Sequence, residues 1–264
     1  MGGLLGVDVG GTFTDAVVVA GGRLHTAKAP TTPADQSEGV MIAVGRALAA
    51  AGLHAAAVDE FAHGMTVATN ALLEGTGART ALVATDGFTD VVELGRQARA
   101  ELYRLCAARP APLVPPERRF PAPERMGPED VLHPLTAEGA AAVAAAVGGC
   151  EPEAVAVCLL HAYRDPTHER ALADALRDRL GEAVHVSLSH ELVGTFREYE
   201  RAATTEVDAA LSPLLAAYLR RLRGRAGDAG LPEPAIMQSS GGLADAETAA
   251  AIARRPRLGA RWTA

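Results

Sequence analysis

Between Gly6 and Val19 the chain reads GVDVGGTFTDAVVV, two valine-rich runs parted by an aspartate, two glycines and two threonines. Apolar runs bounded by glycine read as buried strands, and the short polar interval folds them into a hairpin. Gly21-Gly22 is a second hairpin signal before RLHTAKAP. Three strands therefore open the fold as an antiparallel meander.

Downstream the period changes. A helix is expected from about residue 36 to 51, with Pro33 and Asp35 as start signals. VDEFAHGM reads as a short strand, TVATNALLEGTGA as a helix closed by Gly75 and Gly77, and TALVATDG as a buried strand. Residues 103–134 are rich in proline, arginine and glutamate, which excludes regular helix and fits a loop or edge excursion. Then come helix (TAEGAAAVAAAV), strand (PEAVAVCLL), helix (DPTHERALADALRDRL) and strand (AVHVSLS). A long helix follows from Arg197, with a break expected near Pro213, and PAIMQSS is the final strand expected, ending at Gly241-Gly242. Strands alternating with helices mean α/β layers around a mostly parallel sheet.

The opening turn has a chemical use. Gly10 and Gly11 carry no Cβ, so the backbone can approach a ligand and aim successive N–H groups at a phosphate. Thr12 and Thr14 add hydroxyl donors, and Asp15 follows them. Asp8, at the strand end, repels phosphate directly but can hold a hydrated Mg²⁺ that bridges phosphate oxygens. The alternative is a plain hairpin with a glycine turn. Neither GxxxxGK[ST] nor GxGxxG is present.

Other residues are weighed in the same way. Thr66 is a candidate helix N-cap, with His63 and Gly64 just before it, where an anion could sit. His63 is either a structural histidine or a cleft residue, and with Asp8 it is a candidate for catalysis. Asn70 falls one helical turn after Thr66. Arg96 is a candidate clamp for an anionic substrate, and Arg99 reads as a surface charge. Glu198 and Arg201 lie at i,i+3, and Arg197 and Arg201 at i,i+4, which reads as a salt-bridge network on a helix surface. Thr204 and Thr205 are expected where that helix faces a nucleotide domain. In MQSSGG, Ser239 and Ser240 could donate to a nucleotide or substrate beside Gly241 and Gly242, or the segment is a simple loop.

Composition narrows the partners. A net charge of -7 argues against nucleic acid, because phosphate backbones select basic surfaces. No stretch reaches the roughly 18 apolar residues that span a bilayer, and no signal peptide is evident. Cys106, Cys150 and Cys158 are too few and scattered for a disulfide framework, so a reduced, cytoplasmic protein is expected, with Cys158 a small buried hydrophobe.

GVDVGGTFTDAVV resembles the first phosphate loop of the hydantoinase A/oxoprolinase family. The segments 63–99, 159–169, 189–211 and 237–243 are similar to further blocks of that family. The resemblance covers about 250 residues. It implies the actin-like ATPase fold of ribonuclease H-like domains shared with sugar kinases and actin. It also implies residues 1–185 as the N-terminal region and 186–264 as the start of a hydantoinase A domain. The implied activity is ATP-dependent opening of cyclic amides such as hydantoins or 5-oxoproline, through phosphorylation of the substrate oxygen. Carbonyl substrates are a further implied class, since relatives include acetone carboxylase subunits. ATP and Mg²⁺ are the implied cofactors. Asp8, Gly10, Gly11, Thr12, Thr14, Asp15, Ser240, Gly241 and Gly242 are the implied nucleotide contacts, with Asp8 on the metal and His63, Thr66, Asn70 and Arg96 toward substrate.

Family members are typically longer, with an SGPAGG segment and a second D-x-GGT-x-TD loop. Neither occurs here. The expectation is a chain whose second ATPase half is missing or separately encoded, or which pairs with a hydantoinase B type subunit. The competing expectation is a non-catalytic nucleotide-binding or assembly subunit.

Overall fold

The computed structural model describes residues 2–97, 103–104, 111–238, 241–245 and 249. Two compact units emerge, one joining Met1–Thr76 to Leu214–Ile252, the other built on Gly77–Pro213. The boundary read from sequence blocks, at 185/186, falls inside the second unit.

In the first unit β1 (Gly3–Val9), β2 (Phe13–Ala20) and β3 (Arg23–Pro30) form the meander, with Gly21 and Gly22 at φ 55° and 75° in the second turn. α1 (Gln36–Ala51) begins at Asp35, whose carboxylate accepts from the Ser37 amide at 3.1 Å, and ends at Gly52 with φ 65°. Val40, Ala43, Val44, Ala47 and Leu48 make one buried stripe at helical spacing. Each buried valine or leucine in it stabilises the unit by about 1.5–3 kcal/mol relative to exposure. β4 (Val58–Met65) runs parallel to β1, and α2 (Val67–Glu74) starts one residue beyond it. α2 stops at Gly75, whose φ of 67° only glycine adopts readily.

The second unit carries β5 (Thr80–Thr85), a short α3 (Val91–Leu94), β6 (Arg119–Ala122), the small hairpin of β7 (Arg125–Met126) with β8 (Val131–His133), and α4 (Ala137–Gly148). β9 (Ala154–Cys158), α5 (Thr167–Leu180), β10 (His185–Leu188) and α6 (Ser189–Leu192) follow. Its sheet has the order β10-β9-β5-β6, parallel throughout. β5 and β9 are buried at every residue, which explains their unbroken apolar sequences: α4 and α5 cover one face, and Val92, Val114 and Ala209 pack on the other. The proline-rich excursion thus contributes the edge strand β6 and a hairpin that sequence periodicity did not reveal, because runs of two to four residues carry too few periods.

α7 (Glu198–Asp228) gives its residues up to Pro213 to the second unit and those from Leu214 to the first. It continues through Pro213, where a break was expected. Near the proline, the Ala210 carbonyl accepts from the Ala78 amide at 2.8 Å, which ties the helix to the chain just before β5. Gly77 eases that contact: a Cβ there would lie 3.2 Å from the Ala210 carbonyl oxygen and would press the helix away by a few tenths of an ångström. Gly77 therefore serves close packing, and helix termination belongs to Gly75. β11 (Pro234–Met237) is not the last strand either, since β12 (Leu243–Asp245) returns antiparallel to it. The first unit's sheet is complete as β12-β11-β4-β1-β2-β3. Among the described residues no helix is long and apolar enough to cross a membrane.

Candidate functional site

β1, β4 and β11 run parallel, so their carboxyl ends share one edge of the first unit's sheet. That edge gathers the Gly10–Thr12 loop after β1, Thr66 and the start of α2 after β4, and the Gly241-Gly242 turn after β11. Asp8 is in register with Gly64 on one side and with Asp15 on the other. Its carboxylate lies over Gly64, where a Cβ would approach Asp8 Oδ1 to 3.2 Å. Asp15 is tied elsewhere: Lys28 Nζ lies 3.0 Å from its Oδ1 and 4.9 Å from the centre of the Phe13 ring. The register therefore sets Gly64, Asp8, Asp15 and Lys28 in a row across four strands, and Lys28 offsets the repulsion of two adjacent carboxylates.

The glycine loop is shaped by backbone bonds. Gly10 N–H donates to the Phe13 carbonyl at 3.0 Å. Gly11 sits against Asn70, and a Cβ there would meet Nδ2 at 3.3 Å. Thr66 stands at the helix N-cap position as expected, but its hydroxyl does not cap: it donates to the Val9 carbonyl at 3.1 Å, beside the Thr66 amide on the same carbonyl. Asn70 Nδ2 reaches back to Thr66 Oγ1 at 3.3 Å. The first helical bond of α2 is Asn70 N–H to Thr66. The amides of Gly11, Thr12, Val67, Ala68 and Thr69 thus have no acceptor among the described residues. Open amides of a glycine loop beside those of an uncapped helix start form a surface that favours an anion.

Not every sequence candidate joins this surface. Thr14 is fully buried, and its hydroxyl contacts Thr31 Oγ1 at 3.2 Å instead of facing the loop's open side. His63 is fully buried too, so it belongs to the core and not to a cleft. Its Nε2 pairs with the Tyr218 hydroxyl at 2.8 Å while Nδ1 has no partner, and burial lowers its pKa to about 4. Gly241 and Gly242 adopt φ 88° and 91°, and the Gly241 amide donates to Gln238. Turn geometry accounts for both glycines. Ser239, Ser240, Arg99 and Cys106 lie outside the described residues. Arg96 belongs to the second unit, where it pairs with Glu200 at the surface.

Sequence reasoning also missed a buried polar network in the second unit. Arg201 is fully buried, not on a helix surface with Glu198. Its Nη2 donates to the Leu159 carbonyl at 2.6 Å and to Ser189 Oγ at 2.7 Å, and its Nε and Nη1 have no partner. Glu169, equally buried, accepts from Leu159 N–H, Ser189 Oγ and His190, whose Nδ1 lies 2.6 Å away. Thr205, also buried, bonds its own helix at the Arg201 carbonyl, whereas Thr204 is exposed. A second cluster joins Thr85, Glu124 and His168. Leu135 N–H donates to His168 Nε2 at 3.2 Å, so His168 Nδ1 carries the proton and donates to Glu124 at 2.7 Å. The only local sequence signal was the density of polar residues in AYRDPTHE and SHEL. Cys158 is buried as expected, and desolvation pushes its thiol up to about 12. A cleft at the ends of β5 and β9, lined by Thr85, Phe88, Leu160 and Glu198, leaves only about 10 Å³ for a water-sized sphere. That is room for one water and no more.

A glycine loop, a carboxylate and an uncapped helix start at the carboxyl ends of a β12-β11-β4-β1-β2-β3 sheet define an actin-like ATPase type of fold. The structure matches nucleotide-free acetone carboxylase with a TM-score of 0.83 at 22% identity, over 95% of this chain and 38% of that one, a likeness of fold. It matches the crystal structure of the ATP-dependent caprolactamase from Pseudomonas jessenii with a TM-score of 0.81 at 33% identity, over 92% of this chain and 36% of that one. In sequence, the caprolactamase subunit alpha of Pseudomonas jessenii is 34% identical over 254 residues, 91% of this chain and 36% of the relative. The family model for the hydantoinase/oxoprolinase N-terminal region matches residues 4–180. The chain belongs to the hydantoinase/oxoprolinase family, and it spans about a third of the length of these relatives.

Proposed function

We propose that the open edge of the first unit holds the phosphates of ATP, and that the chain serves the nucleotide side of an ATP-dependent attack on a cyclic amide or small carbonyl compound. The observation that carries this reading is the convergence of unclaimed amides at Gly11, Thr12 and the start of α2. Gly10 and Gly11 let phosphate oxygens approach, Thr12 adds an exposed hydroxyl, and Asn70 braces the loop from α2. Asp8, exposed and without a protein partner among the described residues, is the group for a hydrated Mg²⁺. No three acidic, histidine or cysteine side chains gather among the described residues, so such a cation takes its other ligands from water and phosphate.

Bound ATP supplies an electrophilic phosphoryl group, which turns an amide oxygen into a leaving group. The chain's own residues position and neutralise charge, the main demands of phosphoryl transfer. The whole activity belongs to a longer assembly: the residues aligned here are about a third of the caprolactamase subunit alpha, itself named as a subunit. Residues 1–185 are assigned to the N-terminal region and 186–264 to the start of the next domain. The free thiols of Cys150 and Cys158 suit a reducing, cytoplasmic setting.

Calorimetric titration with ATP and Mg²⁺, followed by phosphate-release assays with lactams and hydantoins, tests the reading. Binding abolished by Gly11→Val supports it. Binding without turnover assigns the chain a nucleotide-holding role in an assembly. No binding by the folded chain removes the phosphate reading.

A further inference from the structure

Thr31 follows β3, outside the glycine loop and outside every motif that points to phosphate. Its side-chain oxygen lies 2.9 Å from the Gly10 carbonyl oxygen and 3.2 Å from Thr14 Oγ1, and its amide donates to the Thr12 carbonyl at 2.9 Å. A threonine hydroxyl has one proton to give. The Gly10 carbonyl can only accept, so that proton goes to Gly10. The Thr14 hydroxyl must then donate to Thr31. The bonds run in one direction, from Thr14 O–H to Thr31 O–H to the Gly10 carbonyl, and each polarises the next.

The peptide joining Gly10 to Gly11 is planar and trans, so the Gly11 N–H points opposite to the Gly10 carbonyl. Drawing the carbonyl toward Thr31 therefore aims the Gly11 N–H away from it, toward the exposed side of the loop. A glycine–glycine peptide resists rotation least, because neither residue has a Cβ. If this peptide turned over, a carbonyl oxygen would face the anion in place of a donor.

We propose that Thr31 is a positioning residue that locks the Gly10–Gly11 peptide in its donating orientation, with Thr14 as its buried support. This rests on the reading that the loop takes phosphate, and it reassigns Thr14 from ligand contact to brace.

The test compares Thr31→Val, Thr31→Ser and Thr14→Val with the unaltered chain, by amide exchange of the loop without nucleotide and by titration with Mg²⁺ and ATP. In Thr31→Val the exchange of the Gly10 amide, bonded to the Phe13 carbonyl, accelerates, and affinity falls about fivefold, the effect of one partly buried hydrogen bond. Thr31→Ser keeps the hydroxyl and behaves like the parent. Thr14→Val weakens binding less, and adds nothing in the Thr31→Val background. Parental loop exchange and parental affinity in Thr31→Val overturn the proposal. If Thr31→Val does not fold, parental exchange and affinity in Thr14→Val overturn it instead. If the unaltered chain binds no nucleotide yet loop exchange still depends on the Thr31 hydroxyl, the clamp stands and the phosphate reading falls.

Discussion

The Tyr218 hydroxyl lies 2.8 Å from His63 Nε2, with both side chains buried in the core of the first unit and their rings 5.8 Å apart. Tyr218 comes from α7 and His63 from β4, so this hydrogen bond joins the helix to the strand that leads into Thr66. Burial lowers the pKa of His63 from 6.5 to about 4. The unfolded chain therefore takes up a proton between those values while the folded chain does not. Stability contributed by neutral His63 is present above pH 6.5 and is lost as pH falls toward 4, by about 3 kcal/mol at the limit. His63→Gln, which can still pair with Tyr218 but cannot titrate, should flatten this loss. Amide exchange of β1 and β4 across pH 4–7 reads it, and equal acid sensitivity in both proteins would count against the assignment.

Glu206 should show the opposite slope in the second unit. It is buried on α7, its Oε1 has no partner, and burial raises its pKa to about 7, with Arg119 pulling the other way. Here the folded state keeps its proton as pH rises from 4.5 to 7 while the unfolded chain releases it. Stability present below pH 4.5 is thus lost as pH rises through 7, again by about 3 kcal/mol at most. Glu206→Gln should stabilise the second unit at pH 7.5 and have little effect at pH 4.5. Urea midpoints at the two pH values decide it.

Removing the Arg201 side chain should be severe. Its guanidinium lies 3.9 Å from Oε1 of the buried Glu169 carboxylate, and it bonds Ser189 and the Leu159 carbonyl. Arg201→Ala removes the arginine charge and two buried hydrogen bonds beside that carboxylate and should cost about 3–5 kcal/mol. Pairing Arg201→Met with Glu169→Gln removes both charges and should recover part of the loss. A double change worse than Arg201→Ala would show that Arg201 acts through packing and not charge.

Gly64→Ala tests the placement of Asp8 without touching the glycine loop. The new Cβ would stand 3.2 Å from Asp8 Oδ1, so the carboxylate must shift by a few tenths of an ångström. The chain should fold, with ATP binding that requires more Mg²⁺ than the parent. An unchanged Mg²⁺ dependence would detach Asp8 from cation binding.

Much of the framework was legible in the sequence. The meander, Asp35 at the start of α1, Gly75 as the end of α2, and the parallel second sheet all follow from local signals: capping, positive-φ glycine and apolar period. The glycine loop and Asp8 were also visible, since chemistry contained within a few residues needs no distant partner to be recognised. β6, β7, β8 and β12 were not, because strands of two to four residues owe their existence to the strand beside them.

What separates a ligand-facing residue from a buried one was invisible along the chain. Thr12 and Thr14 are two residues apart in one motif, yet Thr12 lies in the turn before β2 and stays exposed, while Thr14 lies within β2 and is buried against Thr31. Arg201 looked like a surface charge, and His63 could be structural or cleft-lining, but parallel pairing and the packing of α7 put both in cores. By itself the sequence determined where the longer strands and helices and the glycine loop lie, because those depend on neighbours a few residues apart. Only the tertiary structure decided which polar side chains remain open to a ligand, because burial and hydrogen-bond direction depend on residues brought together from far along the chain.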